Sequence, residues 1–284
     1  MTEVRKVSAS AGAEWLLGGF ALLRKAPLAL GLLGLIWGGL STVASASGLL
    51  WLSFALAVLG PILFGGLVFA TREVDRGRTA RPAHLVQGLQ DGKLLRLLAM
   101  LLPQLVAVIV VVLLLFAMVG AEQLQQFVRI MEQMQSNPDP QLADGLPAGR
   151  MLLWLLLAIA VGVVAGFFTF VAIPEVMFTE RRALDAMLLS LRACLRNFSA
   201  LLVMIVLTLI AVVALSVAVQ LVVVLLGLAI GAQPAVFAGQ LLLMAVLLPV
   251  MSGAVYHAWR QMIDTSATSS DAPAAPVHAG GFEA

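Results

Sequence analysis

Arginine side chains that could bind an anionic group lie together on one amphipathic stretch, residues 181–196. At helical spacing Arg181, Arg192 and Arg196 share one side of this stretch, and the adjoining side carries leucines and a methionine. A basic amphipathic helix binds at a membrane surface, because anionic headgroups attract each Lys or Arg by about 1 kcal/mol. We therefore predict that these three arginines contact lipid headgroups.

Glu175 is the carboxylate that could bind a cation or a substrate amine, and it directly follows Pro174. It lies at the margin of a long apolar stretch, where the free-energy cost of a charged side chain is lower than in the middle of the stretch. Arg181 and Arg182 follow within seven residues. We predict an interfacial carboxylate close to these two arginines rather than a binding site.

Other side chains with catalytic or metal-binding chemistry are isolated in sequence. Cys194 is the single cysteine and has no histidine or acid constellation beside it, so we expect it to pack in the core. Met131 and Met134 could offer thioethers to Cu(I), but they fit the apolar face of a helix over 122–135. The three histidines lie too far apart to form a local metal motif: His84, His257 and His278. We predict no catalytic residue, no metal site, no cofactor and no enzyme activity.

The composition indicates a membrane protein. Of the 284 residues, 61% are hydrophobic and 11% are charged, whereas soluble domains have roughly 45–50% apolar and about 25% charged residues. The net charge of +2 is too small for a chain of this length to attract nucleic acid. A soluble globular protein and a nucleic-acid partner are both excluded.

Four stretches without charged residues define the membrane spans, because a helix needs about 20 apolar residues to cross and a charge in hydrocarbon is expensive. The stretches contain 46, 25, 24 and 63 residues, and the two longest must each turn back once. The turns fit the small residues of 41–48 and the segment Gly231–Pro234. We predict an all-α, polytopic fold of six transmembrane helices near 27–46, 49–70, 96–119, 150–174, 198–230 and 235–258.

Charge asymmetry predicts the orientation in a bacterial inner membrane, since cytoplasmic segments retain Lys and Arg. Fifteen of the seventeen basic residues fall in 1–26, 71–96, 175–197 and the C-terminal end, and two fall in 120–150. Both termini are therefore expected in the cytoplasm, and 120–149 is expected to be a periplasmic insertion.

The predicted organisation has three parts: a cytoplasmic interfacial helix over 1–26, a membrane domain over 27–264 and a disordered cytoplasmic tail over 265–284. The tail is rich in Ala, Ser and Pro and poor in large apolar groups. Ala44-Ser45-Ala46 also matches a signal-peptidase site, but the preceding apolar run is longer than such signals have, so cleavage after Ala46 is not expected.

Prolines and glycines recur at matched spacing in the membrane part. Pro61 and Pro249 each stand eleven residues before an arginine, Gly65 and Gly253 each follow four residues later, and Pro174 has the corresponding place between them. We interpret this as three helical hairpins with kinks at the prolines. Three GxxxG spacings predict close helix packing, with an oligomer contact as the alternative: Gly34 and Gly38, Gly162 and Gly166, Gly227 and Gly231.

Three short segments carry a resemblance to a known family: Gly12–Pro27 with Trp15, Gly19-Phe20 and Arg24, then Ala172-Ile173-Pro174, then Ser190–Asn197. With these, the chain resembles a family of uncharacterised proteobacterial inner-membrane proteins, itself distantly similar to the membrane domain of some glycerophosphodiester phosphodiesterases. The resemblance implies a six-helix membrane domain. It implies no activity, because the soluble phosphodiesterase barrel is absent from this sequence.

No charged residue lies in the middle of a predicted span, which disfavours an ion-coupled carrier. The sequence therefore predicts a non-catalytic integral inner-membrane protein that organises lipid or a partner protein. Its expected partners are membrane lipids, with a partner protein or a second copy of the chain as the further candidates. The alternative is a permease for a small neutral or amphiphilic substrate.

Overall fold

The computed structural model describes residues 4–136 and 148–263, and all regular structure in these ranges is helical. The α-helices are α1 (Ala11–Lys25), α2 (Pro27–Ala46), α3 (Leu50–Asp75), α4 (Gln87–Gln90), α5 (Leu94–Leu98), α6 (Leu102–Met118), α7 (Ala121–Ser136), α8 (Ala148–Thr169), α9 (Ala172–Phe178), α10 (Ala183–Arg196), α11 (Phe198–Ile230) and α12 (Ala232–Met262). Short 3-10 turns cover Pro82–Val86 and Ala99–Leu101. The all-α prediction is confirmed.

Six helical stretches among the described residues are long and apolar enough to cross a membrane, so the chain is a multi-pass membrane protein. They are Pro27–Ala46, Leu50–Asp75, Leu94–Met118, Ala148–Phe178, Phe198–Ile230 and Ala232–Met262. The six predicted spans are confirmed, and every helix end lies within five residues of its predicted position.

Helix α12 is the centre of the larger part of the bundle, where it contacts α1, α2, α3 and α11. The remaining long helices, α6 and α8, pack on each other, and α8 joins the rest through α9 and α10. The consecutive pairs α2 and α3, α6 and α8, and α11 and α12 are each in contact. The arrangement as three repeated hairpins remains a prediction.

Glycines allow α1 to pack directly on its neighbours. A Cβ at Gly12 would overlap the backbone of Ala200 in α11, and a Cβ at Gly19 would overlap the carbonyl of Val250 in α12. A Cβ at Gly253 would lie 2.6 Å from the Cα of Gly19. The predicted helix in 1–26 is therefore packed closely against α11 and α12, while its location at a membrane interface remains a prediction.

The three GxxxG spacings differ in their surroundings. Gly34 and Gly38 face Met244 and Ala245 of α12 at distances that leave no room for a side chain. A Cβ at Gly162 or Gly166 would meet no atom within 4 Å, and Gly231 is equally open. The Cβ of a residue at 227 would make only ordinary contacts. Close packing within the described chain is thus found for the first spacing only, and the oligomer contact remains a prediction for the second.

Pro174 stands where the fourth span is interrupted. Helix α8 ends at Thr169 and α9 begins at Ala172, so the break lies just before the proline, which cannot donate a hydrogen bond to Phe170. Ser190 of α10 compensates the break: its hydroxyl donates to the carbonyl of Phe167 at 2.7 Å and accepts from the amide of Val171 at 3.1 Å. By contrast, Pro61 and Pro249 stand inside the continuous helices α3 and α12.

The amphipathic segment 122–135 forms helix α7, as predicted. Val128 and Met131 on its apolar face are exposed, while Ile130 is buried. The predicted disordered tail, 265–284, and residues 137–147 of the predicted insertion lie outside the described residues.

Candidate functional site

Polar and charged side chains gather at one end of the bundle, formed by α1, α10 and the ends of α3, α9 and α12 that adjoin them. We call this the charged end. Glu175 of α9 lies at its centre and is only 2% exposed. Its carboxylate pairs with Nε of Arg181 at 2.8 Å and accepts a hydrogen bond from the indole of Trp259 at 2.8 Å. The predicted proximity to Arg181 is confirmed. The carboxylate is buried under Trp259 of α12, and its position at a membrane interface remains a prediction.

A second carboxylate, Asp75, ties the end of α3 to the end of α12. Its Oδ2 accepts from the hydroxyl of Tyr256 at 2.9 Å and pairs with Nη1 of Arg260 at 2.7 Å. Lys25 at the end of α1 donates to the Asp75 carbonyl at 3.2 Å. These contacts connect α1, α3 and α12, so their charges hold the helix ends together.

Aromatic rings lie between the two carboxylates. The guanidinium of Arg72 stacks on Phe178 with 4.0 Å to the ring centroid, and Phe178 contacts Trp259 with 4.9 Å between centroids. Tyr256 lies 6.2 Å from Phe178 and stacks on Trp259 with 6.4 Å between centroids. Stacking of this kind stabilises a poorly hydrated arginine by about 1–2 kcal/mol, so the cluster holds the adjoining ends of α3, α9 and α12 together.

Lys93 caps the last turn of α9. Its ammonium donates to the carbonyls of Met177 at 2.9 Å and Thr179 at 3.3 Å, where a cation is favoured by the helix dipole. Glu180 next to this turn pairs with Arg96 at 2.7 Å, and that hydrogen bond together with Lys93 lowers the pKa of the Glu180 carboxyl. The loop after α3 is thereby fixed to the end of the fourth span.

Asn197, between α10 and α11, holds the N-terminal segment. Its Oδ1 accepts from the amide of Val7 at 2.8 Å and its Nδ2 donates to the carbonyl of Arg5 at 2.9 Å. The amide of Arg5 in turn donates to the carbonyl of Met262 at 2.9 Å. Sequence reasoning did not assign this role, and the available signal was a polar amide between two apolar helices.

The three arginines predicted to contact headgroups lie together along one cleft of about 480 Å³. Arg181, just before α10, lines it together with Asp185, Arg192 and Arg196 of α10. The cleft is completed by apolar residues, namely Val4, Leu188 and Leu189. We call this the basic cleft. The structure brings together all three predicted residues: Arg192 and Arg196 lie one turn apart on α10, whereas Arg181 precedes the helix and pairs with Glu175.

Cys194 is buried on the opposite side of α10, where its thiol lies 3.6 Å from the carbonyl of Phe167. Burial raises the pKa of the thiol to about 12, so it stays protonated and unreactive at neutral pH. The predicted packing role of Cys194 is thus confirmed. In the part of the chain that the structure describes, no three His, Cys, Asp or Glu residues lie close enough to hold a metal ion.

Comparison with family models, with curated proteins and with solved structures gives no match to this chain. The resemblance to an inner-membrane family therefore remains a prediction.

Proposed function

We propose that this protein is a non-catalytic integral protein of a bacterial inner membrane that binds anionic phospholipid at its charged end. The observation that carries the proposal is the convergence of Arg181, Arg192 and Arg196 on one open cleft. Convergent arginines favour phosphate, because the guanidinium offers several donors in a planar arrangement.

The charge of the basic cleft suits a singly charged headgroup. Arg181 already pairs with Glu175, and Asp185 offsets one of the two remaining positive charges. One net positive charge is left, which one phosphodiester would neutralise. Arg192 and Arg196 are exposed and make no ion pair with any described residue, so their guanidinium groups can reach a ligand.

Helix α10 also presents apolar side chains beside the basic cleft. Leu184, Leu188 and Leu195 are 65%, 47% and 60% exposed. In an amphipathic helix at the membrane surface such leucines lie at the boundary between headgroups and acyl chains. The same helix would then contact both parts of one lipid. A permease has less support, because the buried carboxylate Glu175 is already paired with Arg181 and Trp259.

The proposal requires the charged end to face the cytoplasm, where anionic lipids are exposed to it. We expect reporters fused after residues 80, 186 and 265 to be cytoplasmic, and reporters fused after 48, 140 and 232 to be periplasmic. The physical reason is the excess of Lys and Arg on one side. A paired alkaline phosphatase and green fluorescent protein fusion series measures this. A cytoplasmic result at 140 would contradict the orientation.

Lipid binding is tested by removing the two arginines that are not paired with Glu175. The double variant Arg192→Gln/Arg196→Gln should bind phosphatidylglycerol about thirtyfold more weakly and therefore retain less of it, since two contacts of about 1 kcal/mol each are lost. Native mass spectrometry after detergent extraction measures the retained lipid. The triple variant that adds Arg181→Gln should bind phosphatidylglycerol slightly more weakly still.

The matched control is Arg24→Gln/Arg76→Gln, which removes the same charge from exposed positions outside the basic cleft. Its lipid retention should stay close to that of the unmodified protein. Equal loss in both double variants would indicate a general charge effect. Unchanged retention in the Arg192 and Arg196 variant would contradict lipid binding and assign α10 to a protein partner.

A further inference from the structure

A second cleft, of about 590 Å³, lies between α6 and α8, and every side chain that lines it is apolar. Val106 and Ala107 of α6 face Ala160, Val164 and Ala165 of α8 across it. Alanines at three of these five positions leave the space that larger side chains would fill. Its volume falls in the range of about 300–1,000 Å³ that is usual for ligand sites. We call this the apolar cleft.

The depth of the apolar cleft matches one leaflet of a bilayer. On α6 it extends from Leu102 to Val110, in the half of the helix next to the charged end. Eight residues at 1.5 Å each span about 12 Å, against about 15 Å for half of a 30 Å hydrocarbon core. The space thus lies at the level of the acyl chains that belong to headgroups at the charged end.

Helix α10 connects the two clefts. Leu184 and Met187 line the apolar cleft, while Asp185 and Leu188, the residues next to them in the chain, line the basic cleft. A molecule bound along α10 could therefore contact the arginines of the basic cleft at one end and the apolar cleft at the other. A phospholipid has this order of chemistry, with a charged phosphodiester joined to long hydrocarbon chains.

We infer that the apolar cleft holds an acyl chain of the phospholipid whose headgroup occupies the basic cleft. This inference rests on the proposed function, because the headgroup contacts select the lipid. The inference adds that the protein recognises the acyl chain of the lipid as well as its charged headgroup. Binding of one lipid should then depend on α6 and α8 as well as on α10.

The test fills the apolar cleft while leaving the basic cleft unchanged. In the variant Ala160→Phe/Val164→Phe, two exposed positions of α8 receive rings that project into the cleft without displacing buried neighbours. The control is Ala214→Phe/Val217→Phe on the exposed face of α11, which alters the same residue types away from both clefts. Gel filtration and thermal unfolding in detergent establish that both variants fold.

Two probes separate headgroup from chain, namely dioleoylphosphatidylglycerol and dihexanoylphosphatidylglycerol, each added to delipidated protein and counted by native mass spectrometry. We expect the filled variant to bind the long-chain probe about tenfold more weakly and to bind the short-chain probe normally. The control should bind both normally. If the filled variant bound the long-chain probe with unchanged affinity, the inference would be overturned, even if Arg192→Gln/Arg196→Gln weakened the binding of both probes.

Failure of the proposed function gives a different result, because the arginine variants would then bind both probes normally. A photoactivatable lipid with a diazirine in its acyl chain provides a measurement on the unmodified protein. We expect cross-linked peptides from 102–110 and 160–168. Equal labelling of α11, or a dimer that disappears when the apolar cleft is filled, would overturn the inference.

Discussion

Glu175→Leu should lower the thermal midpoint of the purified protein by on the order of 10 °C. The leucine removes the partner of the Arg181 guanidinium and leaves the indole N–H of Trp259 buried without an acceptor. Breaking a buried, hydrogen-bonded ion pair from one side costs about 3 kcal/mol or more. Intrinsic tryptophan fluorescence during heating in detergent measures the midpoint.

Two further variants make this result specific. Glu175→Gln keeps an oxygen that can accept from Trp259 but loses the charge, so its midpoint should lie between those of Glu175→Leu and the unmodified protein. Glu180→Leu removes a carboxylate whose side chain is 78% exposed, and we expect little change. A Glu175→Leu protein as stable as the Glu180→Leu protein would show that the buried pair contributes nothing.

Gly19→Leu should prevent stable folding. A Cβ at this position overlaps the backbone carbonyl of Val250, and the facing residue, Gly253, offers no side chain that could move aside. Helices α1 and α12 would have to separate, which would also disturb the hydrogen bond of 2.7 Å from Trp15 to Gln261. We expect the variant to be recovered from membranes in much lower amounts and to aggregate on gel filtration.

The matched control is Gly162→Leu, at a glycine where an added Cβ meets no atom within 4 Å. This protein should fold normally and gain slightly in stability, since leucine favours a helix by up to about 1 kcal/mol over glycine. Equal damage from both substitutions would contradict the packing of α1 on α12. Loss of an oligomer in Gly162→Leu would establish the oligomer contact that the GxxxG spacing suggests.

The sequence by itself determined the features that depend on neighbouring residues. Six spans follow from charge-free stretches, because the side chains of each span must be apolar over the full thickness of the hydrocarbon core. The helices over 122–135 and 181–196 follow from apolar residues at helical spacing. The proximity of Arg192 and Arg196 was predictable for the same reason, since one helix fixes their relative positions, whereas Arg181 precedes α10 and its place depends on Glu175.

Only the tertiary structure decided what lies opposite each of these elements. Glu175 is buried because Trp259, 84 residues later, covers it, and Asn197 binds the backbone of Val7, 190 residues earlier. In the same way, Gly34 and Gly162 have the same local spacing, yet only Gly34 meets another helix. Apolar periodicity identifies a face that can be buried, but lipid and protein satisfy an apolar face equally well in a membrane. The choice between them depends on distant contacts, which local sequence does not contain.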